Sequence, residues 1–258
     1  MVDYDKEHSN TLNLSSKGIN IGHLNVQGIC GENLSKFSEL KILLTAPEND
    51  DLHIFGLSET KLKDNKLTEV FKINGFQTPF RKDNDSNGGG GLLVYVKNGI
   101  NARRREDLET NNISCLWVEI SPANTKSFLV GNIYRPPDSR VEYNDRFEDF
   151  IDIVINEGKE FILLGDFNKN LRDFDIDREW GNFTTSMGLT QLVTEPTRVT
   201  KDSKTLIDHI YTNAEENIQR INVKRLCLSD HYAIFCNRKH PSLVTGNKGH
   251  QVINYRSF

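Results

Sequence analysis

Two packed β-sheets with helices on their outer faces, inside one α/β domain, are what this sequence predicts. At least eight short runs have the apolar, β-rich make-up of strands, and three or four segments carry helical spacing. The 258 residues suit one large domain with a well-buried core, or at most two small ones, and strands and helices in these numbers pack as sheet on sheet with helices outside.

The elements follow in order. Residues 1–18 read as a polar, poorly ordered leader, and the domain is expected over 19–237. INIGHLNV opens it as a strand from Ile19. Residues 34–44 place Leu34, Phe37, Leu40, Leu43 and Leu44 at helical spacing. DLHIFGLSE is a compact apolar run ending in polar residues. The glycine run Gly88–Gly91 precedes the buried strand LLVYV and lacks the Gly-Lys-Ser/Thr ending of an ATP-binding loop, so it reads as a close-packing turn. ISCLWVEI and SFLVGNIY are two further strands. Residues 143–156 set Phe147, Phe150, Ile151 and Val154 on one helical face, and FILLGD is a continuous apolar strand. A helix around 178–187, then LTQLV, LIDHIYT, INVKRLCL and YAIFC, complete the domain. Residues 238–258 turn polar and read as a linker or tail.

Composition excludes several classes. Apolar residues make up 36% and charged residues 26%, which is neither a disordered nor a membrane composition. No stretch approaches the roughly 20 apolar residues of a membrane span. The first residues carry no apolar signal-peptide core, so an intracellular protein is expected. Cys30, Cys115, Cys227 and Cys236 show no CxxC spacing, which argues against zinc and against a disulfide framework. The net charge of −4 excludes little, because nucleic-acid binding needs only a local basic face.

Chemistry-bearing residues stand at the ends of strands. Asp166 and Asn168 follow FILLG and point to one side of an extended chain, with Phe167 turned to the core. A carboxylate and an amide there suit orienting a water and holding a phosphate oxygen, although Gly, Asp and Asn are also ordinary turn formers. In Ser229-Asp230-His231 a protonated histidine could stabilise a developing phosphorane if a carboxylate holds it. Asp208, an acid inside an apolar strand, needs a partner, and His231 or the adjacent His209 could serve. Glu59 could be a hard-oxygen ligand for Mg²⁺, with the amides of Asn25 and Gln27 at the same rim; a surface glutamate is the plain alternative. Tyr134-Arg135-Pro136-Pro137 leaves Tyr134 at a strand exit, where its hydroxyl could meet a phosphate.

Taken singly, most of these are ordinary turns. Together, LNVQG, LSET, IYRPP, GDFN, LIDHIYT and LSDH resemble the endonuclease/exonuclease/phosphatase superfamily, in its order, over roughly residues 19–237. The resemblance implies a DNase I-like four-layer α/β/β/α sandwich of two mixed sheets. GGGGLLVYV, SCLWVEI, GNIYRPP, IDHIYTN and SDH further resemble the apurinic-type endonuclease domain of LINE (non-LTR) retrotransposons. That implies a Mg²⁺-dependent (or Mn²⁺-dependent) nick in double-stranded DNA, leaving a 3′-hydroxyl that primes reverse transcription in the nucleus. The terminal NYRSF is similar to a linker toward a reverse transcriptase domain, so the chain would be a piece of a polyprotein.

By the same resemblance Glu59 binds Mg²⁺ with Asn25 beside it, and Asp230 lies near metal and histidine. Asp166 positions or deprotonates water, Asn168 and Tyr134 hold the phosphate, and His231, held by Asp208, stabilises the transition state. The family often has Asp where Gln27 stands, which points to one catalytic Mg²⁺. Arg198, Lys201 and Lys204, in a segment similar to a DNA-touching hairpin, are expected DNA contacts, with Arg135 and, as a further candidate, Arg103–Arg105. The rivals are an apurinic repair endonuclease, a phosphoesterase for lipid or small phosphates, and a DNA-binding module that has lost catalysis.

Overall fold

In the computed structural model the described residues are 11–30, 34–63, 65–83, 90–140, 142–172 and 178–240. The expected helix at 34–44 is α1 (Ser35–Thr45), and the helical face at 143–156 is α2 (Glu142–Ile155). The third helix, α3, spans Arg178–Ser186. The strands of the N-terminal half are β1 (Ile19–Asn25), β2 (Leu52–Ser58), β3 (Phe80–Lys82), β4 (Leu92–Val96), β5 (Ala102–Arg104) and β6 (Ser114–Ile120). Those of the C-terminal half are β7 (Phe128–Tyr134), β8 (Phe161–Asp166), β9 (Thr190–Gln191), β10 (Arg198–Val199), β11 (Lys204–Thr205), β12 (Asp208–Thr212), β13 (Ile218–Lys224) and β14 (Ala233–Arg238).

Two six-stranded sheets result, ordered β13-β14-β1-β2-β4-β3 and β5-β6-β7-β8-β12-β9, with β10 and β11 forming a separate hairpin. Each sheet is mixed: β1–β2 and β7–β8 pair in parallel, while their neighbours are antiparallel. Alternation along the strands explains the layering. Ile19 and Ile21 of β1, Ile54 of β2, and Ile162 and Leu164 of β8 enter the apolar layer between the sheets. The intervening Leu24, Phe55 and Leu57 pack under α1 with Phe37, Leu40, Leu43 and Leu44. On the far side, Phe161, Leu163 and Tyr211 pack against Phe147, Phe150 and Trp180 of α2 and α3. The architecture is therefore the four-layer α/β/β/α sandwich.

Three details differ from the sequence expectation. The leader does not run loose to residue 18: Leu12 is fully buried, and its N–H donates to Asn49 Oδ1 at 2.8 Å. LTQLV yields only the two-residue β9, because Gln191 caps Val193 locally and the chain leaves the sheet. The short edge strands β3 and β5 have too few residues to show a period. The four cysteines are free, and Cys227 is exposed while Cys115 and Cys236 are buried. No helix among the described residues is long and apolar enough to cross a membrane. NYRSF and Gly88–Gly89 lie outside the described residues.

Candidate active site

Sheet register assembles the site. Tyr134 on β7 and Asp208 on β12 are both paired to Asp166 at the end of β8, so the three stand in a row across one sheet. From the facing sheet come Asn25 and Ser58, paired at the ends of β1 and β2, with Glu59 one residue further. Strand directions place all these ends at one edge of the sandwich, with their side chains on the inter-sheet face. Here the apolar layer gives way to polar groups.

Hydrogen bonds knit the floor. Asn25 Nδ2 donates at 2.8 Å to both Glu59 Oε1 and Asp166 Oδ2, and Asn25 Oδ1 accepts from the Gln27 N–H at 3.0 Å. Asp166 Oδ1 accepts from the Asn168 N–H at 3.0 Å, and Oδ2 faces Asn168 Nδ2 at 3.2 Å. His231 Nδ1 meets Asp208 Oδ2 at 2.9 Å and Oδ1 at 3.1 Å, which settles the choice of histidine. His209 points the other way, stacked on Phe167 with its Nε2 at the Lys169 and Leu206 carbonyls. Tyr134 turns its hydroxyl toward Glu59, and burial with that carboxylate and Asp166 raises its proton affinity.

Backbone strain marks the same rim. Gln27, Glu59 and Asn168 hold φ of 49°, 49° and 48°, in the left-handed region that costs a residue with a Cβ about 1 kcal/mol or more. The Glu59 loop is braced by the glycine turn: Thr60 N–H donates to Gly91 O at 3.1 Å and Lys61 N–H to Gly90 O at 2.9 Å. A Cβ on Gly91 would stand 2.5 Å from Thr60 Oγ1, so Gly91 serves close packing.

Electrostatically, the floor combines an acid that resists ionisation with a base that retains its proton. Burial, then the neighbouring Asp208 carboxylate, raise Asp166 to about 7. For His231, burial opposes the charge, but Asp208 outweighs it by charge and hydrogen bond, with help from Asp166 and Asp230, and the imidazole rises to about 9. An acid with proton affinity near neutrality and an imidazole that keeps its proton thus lie within one floor, an arrangement able to accept a proton on one side and donate on the other.

The oxygen-rich donor set fits a hard cation. Of the expected ligands, Glu59 is partly open, and Asp230 keeps Oδ1 buried without a hydrogen-bond partner. Asn25 presents its NH₂ to the two carboxylates, so serving as a cation ligand requires the amide to turn over. Atoms of Asp166, Asp208 and His231 also lie within 4.8 Å of one another. Since Asp208 and His231 already satisfy each other, this trio reads first as a hydrogen-bonded catalytic group.

The expected DNA-contact residues divide. Lys201 and Lys204 are exposed on the β10–β11 hairpin. Arg135, by contrast, is only 3% exposed; its guanidinium lies 4.9 Å from the Tyr143 ring and 5.8 Å from that of Trp180. It is a structural cation, and its own carbonyl orients Asn168 Nδ2 at 2.9 Å. Arg198 is bonded to Asp230. Arg103, Arg104 and Arg105 are engaged by Glu119, Glu109 and Asp107.

Sequence reasoning missed a buried clamp beneath the floor. His23, two residues before Asn25 on the same face of β1, has Nδ1 2.8 Å from Asn132 Oδ1. Asn132 Nδ2 donates across the sheet interface to Leu57 O at 2.8 Å and Leu93 O at 3.1 Å. That fixes the amide orientation and places the His23 proton on Nδ1. Gly56 makes room: a Cβ there would lie 2.9 Å from the Asn132 amide. Burial, only partly offset by Asp208 and Asn132, lowers His23 to about 4, so it is neutral at physiological pH. The period-two spacing with Asn25 was the available signal.

The family model of the endonuclease/exonuclease/phosphatase family matches residues 22–231. The chain belongs to this family. Among solved structures, the endonuclease domain of TRAS1, a telomere-specific non-LTR retrotransposon, superposes with a TM-score of 0.65 at 17% identity, covering 87% of this chain and 100% of that one. An AP endonuclease from Leishmania major gives 0.68 at 14% identity, covering 88% and 89%. A mannosyl-6-phosphatase from Bacteroides thetaiotaomicron gives 0.57 at 14%, covering 85% and 98%. At these identities the likeness establishes the family's fold, and substrate has to be argued from the site. No curated protein matches the sequence.

Proposed function

We propose that the chain is a Mg²⁺-dependent endonuclease that nicks double-stranded DNA and leaves a 3′-hydroxyl. In this reading the nick primes reverse transcription for a non-LTR retrotransposon in the nucleus, with the reverse transcriptase domain on the same polyprotein. The observation that carries it is the row Tyr134–Asp166–Asp208 with His231, faced across the sheet interface by Asn25 and Glu59. A phosphodiester placed there meets a base on one side and cationic or polar donors on the other. The exposed lysines of the β10–β11 hairpin, beside the His231 loop, favour a long polyanionic substrate over a small phosphate ester.

Asp166, with proton affinity near neutrality, takes a proton from the attacking water. The water-oxygen–phosphorus bond forms and the phosphorus–O3′ bond breaks, the leaving oxygen gaining a proton from solvent. His231, held cationic by Asp208, donates from Nε2 to the phosphoryl oxygen as charge builds there. Asn168 and Tyr134 hold the phosphate in line. Glu59, with Asn25 and Asp230, would hold Mg²⁺, which supplies further charge stabilisation when bound.

Supercoiled plasmid provides the test. Relaxation to the nicked form is expected with Mg²⁺ or Mn²⁺, abolition by EDTA, and no rescue by zinc. The nicks should be extended directly by a DNA polymerase, which requires a free 3′-hydroxyl. Failure to nick intact duplex, cleavage confined to abasic duplex, or termini that resist extension would each overturn the reading.

A further inference from the structure

We propose that Arg198 is a positioning residue that keeps His231 Nε2 open to the scissile phosphate, and is not one of the hairpin's DNA contacts. The proposal rests on the endonuclease reading of this site, and it separates one residue from a basic segment that sequence alone treats as uniform.

The base of the β10–β11 hairpin is bonded to both partners of the Asp208–His231 pair. Thr197, fully buried, accepts the backbone N–H of Asp208 at 2.9 Å and of Ile207 at 3.1 Å on its Oγ1. Its carbonyl accepts the Tyr232 N–H at 2.6 Å, and Arg198 and His231 form a β-bridge. The hairpin thus enters the catalytic edge through two consecutive residues.

The Arg198 side chain continues this connection. Nε donates to Asp230 Oδ2 at 2.8 Å, and Nη2 lies 2.7 Å from the same oxygen. The other oxygen, Oδ1, is buried, has no hydrogen-bond partner, and stops 3.9 Å from His231 Nε2. With Asp208 on Nδ1, Nε2 is the ring's one remaining donor. A carboxylate hydrogen-bonded to Nε2 would occupy the proton that a phosphoryl oxygen needs. Arg198 prevents this by drawing the carboxylate onto Oδ2, on the side away from the ring. Asp166 and His23 also act on His231 by charge, and Lys36 faces Asp230 in the same way.

A half-exposed ion pair of this kind adds little stability. Its value here is geometric, which makes the expected effect kinetic. Lys201, in the hairpin turn, and Lys204, exposed on β11, lack this role and should act through affinity alone.

Three variants separate the roles: Arg198→Ala, Arg198→Lys, and the pair Lys201→Ser/Lys204→Ser. For Arg198→Ala, single-turnover nicking at saturating protein should fall by about 10- to 100-fold, the range expected when a reacting group is misplaced by about 1 Å. Its duplex affinity and the salt slope of that affinity should stay at the wild-type values, because no phosphate contact is lost. Arg198→Lys should recover part of the rate, one ammonium bond replacing two. The lysine pair should weaken affinity and lower the salt slope by about two.

A substrate-free measurement stands beside these. The His231 ring signals in an NMR spectrum should move in Arg198→Ala, move back toward wild type in Arg198→Lys, and stay in place in the lysine pair. A wild-type chain that cleaves no DNA would sink the endonuclease reading, and the spectrum would then decide Arg198 alone. Unmoved His231 signals in Arg198→Ala would overturn the proposal. So would a lower salt slope with full single-turnover rate, which would make Arg198 a DNA contact after all.

Discussion

Two polar clusters in this molecule both set carboxylates against cationic side chains and reach opposite electrostatic ends. At the β5–β6 edge, Glu119, Asp107 and Glu157 meet Arg103, Arg105 and Lys159, three carboxylates against three cations. Burial opposes the charge on Glu119, but hydrogen bonds from Lys159, Ser127 and Arg103 hold it down to about 2. At the edge of the candidate site, Asp166 is deeply buried and stands in register beside Asp208, and burial first, then the Asp208 charge, moves it up instead. A balanced cluster fixes charge and serves structure. An acid-rich one leaves a proton to be moved, and it is where chemistry is expected.

The largest effect should come from breaking the acid-rich cluster. Asp166→Ala or His231→Ala is expected to lower plasmid nicking by about 10³-fold or more, roughly 4 kcal/mol of transition-state stabilisation. Circular dichroism and the denaturation midpoint should show both variants folded. A folded variant of either kind with near-normal nicking would remove that residue from the mechanism.

Stability against pH sharpens the contrast. The folded pKa of His231, about 9, lies above its ordinary 6.5, so its contribution is complete below pH 6.5 and is lost as pH rises through 9. The loss is on the order of 3 kcal/mol. Asp166, also raised, works in the same direction at lower pH, between its ordinary 3.8 and about 7. Glu119 is the reverse: its contribution is present above its ordinary 4.5 and is lost as pH falls through about 2. Urea midpoints should therefore fall between pH 6.5 and 9 in the wild type and change much less in His231→Gln. Equal alkaline losses in both proteins would assign the dependence to other groups.

The smallest effect belongs to the balanced cluster. Glu119→Gln leaves three cations without their shared acid and should cost about 2 kcal/mol, below a fully enclosed pair because Arg103 and Lys159 retain solvent. Nicking per folded molecule should be unchanged, since this edge takes no part in the chemistry. A large drop in rate without loss of stability would mean that the two clusters are coupled.

Much of this could be read from the chain before any coordinates. Long apolar runs such as FILLGD and LLVYV announced their strands, because burial on both faces leaves no polar alternation to confuse the pattern. Polar residues at strand exits announced Asn25, Glu59 and Asp166, because an acid or amide at the end of a buried run has to stand at a rim, and His231 stood out at the entry to the last strand. Edge strands of three residues, such as β3 and β5, were silent, since so few residues carry no period.

What sequence by itself determined was therefore the fold class, the order of the strands along the chain, and most of the polar side chains that the fold gathers at the edge of the candidate site. Only the tertiary structure decided which groups pair. Asp208 takes His231 and not the adjacent His209, because successive residues of β12 point to opposite faces of the sheet. Arg135 goes under Tyr143 and Trp180 while Lys201 remains in water, and Arg198 goes to Asp230, although all three are basic residues near strand ends. His23 and Asn132, 109 positions apart, meet because two sheets stack face to face and Gly56 lacks a side chain. Local sequence sets where a side chain leaves its strand; its partner depends on sheet register and on the distance between layers, which many distant residues fix together.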